Sequence, residues 1–111
     1  MVDEMNNLQL GKMYLVKEYC WFMFPTKELA SVEGEAGSVV PQSLKEVAQI
    51  HAKRLSENYK CNVFVVKPDT YVVLLEEAER CYKLLDSNGN VGWIGWIGYP
   101  DFSDYFELVK E

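Results

Sequence analysis

Cys20 or Cys81 acting as a thiolate, with His51 as its base, is the nucleophilic chemistry this chain could carry. His51 falls in the middle of an apolar stripe with helical spacing, where an imidazole packs more often than it abstracts a proton. The pattern therefore argues for a half-buried packing histidine and against a catalytic pair. The third cysteine, Cys61, makes the count odd; no two are spaced CxxC, and one histidine completes no familiar zinc motif with them. They read as reduced thiols, mostly buried as small hydrophobes. Glu76, Glu77 and Glu79 cluster where a turn is expected and read as a solvated turn rather than a general acid–base pair. DSNGN, beginning at Asp86, lacks the following glutamate of a calcium-binding loop, and GWIGWIG, from Gly92, reads as strand with no lysine after it to hold a phosphate. The sequence thus points away from an enzyme, and no metal or cofactor is expected.

The aromatic residues offer more. In an extended Val91–Ile97 stretch, Trp93 and Ile97 point to one face and Ile94 and Trp96 to the other. One small core cannot bury both tryptophans unless another element covers the second face. An exposed tryptophan near Tyr99, Phe102 and Tyr105 would form a patch suited to docking a protein or stacking a flat ligand. Trp21, with Phe22 and Phe24 ahead of Pro25, raises the same question at the other end of the chain. The candidate binding set is therefore Trp21, Trp93, Trp96, Tyr99, Phe102 and Tyr105.

These residues need a scaffold, and 111 residues suffice for one modest core. The apolar fraction of 49% and aromatic fraction of 14% exclude a disordered chain. The formal charge of −6 is unevenly placed: residues 1–68 are balanced, whereas residues 69–111 carry nine acids against three bases. Such a surface repels phosphate backbones and complements a basic protein surface, so no nucleic-acid partner is expected. No apolar run reaches membrane-spanning length, and MVDEMNNLQL is acidic and polar where a signal peptide is basic and then apolar. The expectation is a cytoplasmic protein with no membrane partner.

Alternation begins at Met13, which gives a first strand over Lys12–Tyr19 continuing into an aromatic loop that Pro25 stops. TKELASVEGEAGSVV, residues 26–40, has the small, acidic, glycine-containing composition of a long excursion. SLKE marks a helix start, with Ser43 as N-cap and Glu46 closing a capping box. Leu44, Val47, Ala48, His51, Ala52, Leu55 and Tyr59 then form one apolar face. Strands return at Val63–Val66 and Tyr71–Leu75 around a Pro68-Asp69 turn, and at Cys81–Asp86 and Val91–Ile97 around Asn88-Gly89, a pair suited to a type I′ hairpin. Gly92, Gly95 and Gly98 interrupt the last of these, which marks a bend, a bulge or a backbone passing close.

The succession VVLLEE, CYKLLD, SNGN and GWI resembles the bacterial SH3-like barrel pattern, in which an alternating strand and an acidic turn precede a WYKVRL-type strand, a D/N-G turn and GWV. The ending YPDFSDYFELV is similar to that of eukaryotic SH3 domains, with Pro100, a single helical turn over Asp101–Asp104 and Tyr105 ahead of the last strand. The resemblance covers the last third of the chain together with Met13–Lys17. It implies a mainly β fold, α+β by content: one domain over 1–111, built as an SH3-like small barrel with a loop-plus-helix insertion at 26–60 between its first two main strands. Cys81 stands where both SH3 types commonly carry the tryptophan flooring a ligand groove, so proline-rich peptide recognition does not carry over. The composition also resembles that of small phage-encoded accessory proteins that bind host proteins.

Two functions fit. The first is a non-enzymatic module docking a partner protein through an aromatic patch in acidic surroundings; an apolar strand of this kind also suits homo-oligomerisation. The alternative is a small-molecule, nucleotide-like sequestering protein with a Trp- and Tyr-lined pocket and Lys27, Lys53, Arg54 or Arg80 meeting a phosphate.

Overall fold

Cys20 to Phe24 is a run in which every residue is buried, and it organises the molecule. A continuous apolar run with no alternation is satisfied only by a strand covered on both faces. The computed structural model describes residues 8–35, 40–78, 81–95, 102 and 105–110. Its strands are β1 (Met13–Val16), β2 (Tyr19–Met23), β3 (Val40–Pro41), β4 (Phe64–Val66), β5 (Tyr71–Ala78), β6 (Cys81–Leu85), β7 (Val91–Ile94) and β8 (Phe106–Leu108). Its helices are α1 (Lys27–Glu35) and α2 (Lys45–Tyr59). The fold is mainly β: a five-stranded sheet in the order β7-β6-β5-β1-β8 and a three-stranded sheet in the order β3-β2-β4, with every pairing antiparallel. Among the described residues the two sheets are not closed into a barrel.

The layers follow from which side chains each strand sends where. Tyr14, Val16, Val72, Leu74, Leu84, Ile94 and Phe106 of the large sheet meet Trp21, Met23 and Val66 of the small sheet in one core. The opposite face of β2, with Cys20 and Phe22, joins Phe24 and Val63 against Ala30 of α1 and Ala48, Ala52 and Leu55 of α2 in a second core. Burying a side chain such as Phe22 contributes about 2–3 kcal/mol, so β2 stabilises both interfaces at once. The expected first strand is therefore two: the chain leaves β1 at Lys17–Glu18 and re-enters as β2 in the other sheet. A single one-sided barrel core gave the aromatic run no place to go, whereas a middle layer does. The segment between β1 and β5 accordingly begins before residue 26 and extends beyond 60.

The remaining differences are local. Residues 27–35, expected as part of an excursion, are helical because the Thr26 hydroxyl accepts from the Leu29 amide at 3.2 Å and good helix formers follow it. Ser43 lies inside a 3-10 turn over Gln42–Leu44, so the N-cap of α2 is Leu44 with no side-chain bond and the capping box is not made. α2 packs through the short side chains of Ala48 and Ala52, which makes a narrow contact and leaves Leu44, Val47, Ile50 and Tyr59 exposed. At its far end Lys60 is left-handed, φ 55°. The Pro68-Asp69 turn is present, with Asp69 at φ 65°, and it carries the chain from the small sheet into the large one. In the β6–β7 hairpin only Gly89 has positive φ, and its amide donates to the Asp86 carbonyl at 3.1 Å. This is a type I turn followed by a glycine bulge rather than type I′, held because the Asp86 carboxylate accepts from the Asn88 and Asn90 amides at 2.9 and 2.8 Å.

Of the three meanings open to the glycines of this strand, Gly92 takes the last, a backbone passing close. Phe24 and Trp93 exchange two backbone hydrogen bonds of 2.7 Å, which stitch the end of β2 to β7. A Cβ at Gly92 would stand 2.7 Å from the Phe24 carbonyl oxygen.

Candidate functional site

Strand alternation sends half of the large sheet's side chains into the core and half to its outer face. On β5, Val72 and Leu74 are buried, so Tyr71 and Val73 point out; on β1, Tyr14 and Val16 are buried, so Met13 and Leu15 point out. Cross-strand partners share a face, and the pairs Met13–Val73, Val73–Leu85 and Leu85–Val91 make one row across β1, β5, β6 and β7 with no charge in it. Beside it Leu15 pairs with Tyr71 on one side and Glu107 on the other. Met13, Tyr71 and Val91 remain 45%, 48% and 46% exposed. Leu15, Tyr71, Glu107, Leu108, Val109 and Lys110 line a shallow groove of about 320 Å³ continuous with that row. A second groove, of about 190 Å³, lies between the Pro68-Asp69 turn and the β6–β7 hairpin.

The other end of the outer face is covered. The β5–β6 register slips between Leu74 and Glu76, and beyond it Glu76, Lys83 and Trp93 form the next row. Lys83 lies 3.5 Å from the Glu76 carboxylate, with its ammonium 5.9 Å from the Trp93 ring centroid. Trp93 itself is half-buried against the helix-side core, next to Cys81 and Ala78. The outer face is thus divided: helix-capped at the Cys81 and Trp93 end, open at the Met13, Tyr71 and Val91 end.

The six residues singled out in the sequence do not assemble into one exposed patch. Trp21 and Phe102 are 3% and 2% exposed and belong to the core between the sheets, which removes them from any docking surface. Tyr105 is half-buried, edge-on to Trp21 at 5.2 Å and to Tyr19 at 5.6 Å. Trp93 and Ile94 do face opposite ways, Ile94 inward. Trp96 and Tyr99 lie outside the described residues, as do Glu79, Arg80 and Ile97. The outer-face set of Met13, Leu15, Tyr71, Val73, Leu85 and Val91 was not singled out. Its signal was present in MYLV and YVVLL, strands apolar on both faces where a one-sided sheet would alternate with polar residues.

The thiols are poorly placed for nucleophilic work. Cys20 and Cys81 are buried, and burial pushes both above the ordinary thiol value of 9.0, which disfavours the thiolate. His51 is exposed on the flank of α2, edge-on to Phe22 at 5.3 Å, rather than half-buried. Among the described residues no three of His, Cys, Asp and Glu are grouped to hold a metal, and no helix is long and apolar enough to cross a membrane. Comparisons with protein-family models, with curated proteins and with solved structures return no match.

Proposed function

We propose that this chain is a non-enzymatic protein-docking module that uses the open end of its large sheet's outer face. The observation carrying this reading is the charge-free row Met13–Val73–Leu85–Val91, with Leu15, Tyr71 and the groove beside it. Contiguous apolar surface of this kind, on a sheet whose other face already has a full core, marks an interaction site. The complementary partner surface is apolar with a basic rim, because residues 69–111 hold the chain's whole excess of acid. Cys20, Cys61 and Cys81 form no disulfide, which is in keeping with a reducing, cytoplasmic setting.

An SH3-like origin for the large sheet belongs to the same proposal. In its favour, β5, β6 and β7 form a meander, β1 joins its far side, and β8 pairs with β1 after a tight turn in which the Tyr105 amide donates to the Phe102 carbonyl at 3.0 Å. Neither of the two described grooves is lined by tryptophan, so the sequestering alternative gains no observation.

The test is affinity capture with the wild-type chain and with Tyr71→Thr/Val91→Thr, both substitutions being on exposed strand positions. A central aromatic such as Tyr71 carries about 2 kcal/mol of an interface, so the variant loses about thirtyfold in affinity with an unchanged melting temperature. Partners bound equally by both chains refute the outer face as the site.

A further inference from the structure

The tip of the β6–β7 hairpin carries chemistry that docking does not use. Asn88-Gly89 is the chain's one Asn-Gly pair, and Ser87, Asn88 and Gly89 are all exposed. In such a pair the backbone nitrogen of the glycine can attack the asparagine side-chain amide, because no Cβ shields it. The ring so made has five members and includes Asn88 Cβ, so the Gly89 nitrogen must first swing round to that side of Asn88. The folded turn prevents this. At the second central position of a type I turn ψ is about 0°, which sets the Gly89 nitrogen against Asn88's own backbone nitrogen and away from its side chain. Two bonds hold it there: the Gly89 amide donates to the Asp86 carbonyl at 3.1 Å, and the Asn88 amide donates to the Asp86 carboxylate at 2.9 Å.

We infer that Asn88 is a site of spontaneous deamidation gated by opening of this hairpin, with Asp86 as the latch. When the turn opens, the Gly89 amide gives its proton to hydroxide and its nitrogen bonds to Asn88 Cγ. The Cγ–Nδ2 bond breaks, and that nitrogen takes a proton from water and leaves as ammonia. Water then opens the succinimide at either carbonyl, giving aspartate or isoaspartate at position 88. One water enters, one ammonia departs, and nothing is oxidised or reduced. Asn90, two residues on, is not a second site: it is half-buried, its side-chain nitrogen donates to Asp86 at 3.2 Å, and the nitrogen after it belongs to β-branched Val91. The products do not fit the turn they came from. Isoaspartate routes the main chain through the side chain and lengthens it by a methylene, so the one Asp86 oxygen that accepts from both the Asn88 and Asn90 amides no longer reaches both. Either product also sets a new carboxylate close to that of Asp86, in the acidic half of the chain. Reclosing is weakened, and the fraction converted records the time each molecule has spent open.

The test follows conversion at neutral pH by peptide mass spectrometry, with enzymatic isoaspartate methylation to separate the two products. Wild type, Asp86→Ala and Ser87→Pro are each incubated folded and in denaturing urea, with circular dichroism verifying the folded samples. Asn88 converts and Asn90 does not, and folded wild type reacts more slowly than the same chain in urea. Asp86→Ala removes the latch and speeds the folded reaction about five- to thirtyfold. Ser87→Pro, which sets the first central position of the turn in its native shape, slows it about two- to fivefold. In urea all three react alike, which assigns the differences to the turn rather than to the neighbouring side chains. The inference is overturned if folded wild type converts as fast as in urea, if Asn88 stays intact in folded Asp86→Ala while urea converts it, if Asn90 converts in its place, or if the two variants shift the folded rate in the same direction. Should Asp86→Ala fail to fold, the Ser87→Pro comparison decides: a folded rate equal to that of wild type overturns the gating.

Discussion

Replacing Gly92 by alanine tests the seam that joins β2 to β7. The added methyl would lie 2.7 Å from both the Phe24 carbonyl oxygen and Met23 Cγ, about 0.7 Å inside the 3.4 Å at which ordinary contact begins. Met23 is fully buried and Phe24 is pinned by its two 2.7 Å hydrogen bonds to Trp93, so neither neighbour has free room to move. Overpacking of this kind costs about 1–3 kcal/mol. Relieving it by opening the seam forfeits two hydrogen bonds at about 1 kcal/mol each. Against these stands a gain of about 0.5–1 kcal/mol from the smaller chain entropy of alanine in a strand. Whichever way the strain is taken, the net loss is about 1–2 kcal/mol, a sizeable part of the roughly 5–15 kcal/mol that holds a domain of this size. Urea unfolding followed by circular dichroism measures it as a lowered midpoint with an unchanged slope. Gly11→Ala is the control, since Gly11 has φ +81° with nothing within 4 Å, and its cost is backbone strain of about 1 kcal/mol. A Gly92→Ala loss no greater than that of Gly11→Ala would refute the close approach.

Other outcomes follow from single sites. Lys60→Gly relieves the left-handed end of α2 and raises stability by about 1 kcal/mol, read as a higher urea midpoint. Asp86→Ala strips the acceptor from the Asn88 and Asn90 amides and the Asn90 side chain, costing about 1–2 kcal/mol and leaving the β6–β7 hairpin amides less protected. The thiols of Cys20 and Cys81 hold their protons more tightly when folded than the ordinary 9.0. Their contribution is therefore complete below that value and is lost as pH rises through it toward the folded values, because the unfolded chain ionises first. Urea midpoints between pH 7 and pH 10 show the decline, and Cys20→Ala/Cys81→Ala flattens it.

Local signals were legible where a short stretch of chain decides its own shape. The strands at Tyr71, Cys81 and Val91 and the Pro68-Asp69 turn each depend on neighbours a few residues away, and each begins where the sequence put it. The type I′ expectation at Asn88-Gly89 failed because the Asp86 carboxylate, two residues upstream, makes a different turn cheaper. Larger misreadings came from interactions between distant segments. Whether Trp21 faces water or a core depends on a second sheet, and Val47 reads as a packing residue until Ala48 and Ala52 turn out to carry the contact. The candidate site was visible as two-faced apolar strands, but its location needed the register: Leu85 and Val91 join Met13 only because β5 pairs with both β1 and β6.

A strand shared by two cores has a consequence for how the molecule comes apart. In a sandwich of independent layers, a peripheral helix pair can open while the central core survives, and exchange rates fall into separate classes. Here the helices rest on the same β2 backbone whose other side holds Trp21 and Met23 against the large sheet. Prising α2 away bares Cys20 and Phe22, and a strand solvated on one face loses the rigidity that fixes the other. The two hydrophobic clusters are in this sense a single cooperative unit, so helix amides and inner-sheet amides should exchange through one common opening event, and the folding rate is governed by when β2 finds its slot between layers that are distant from each other in the chain.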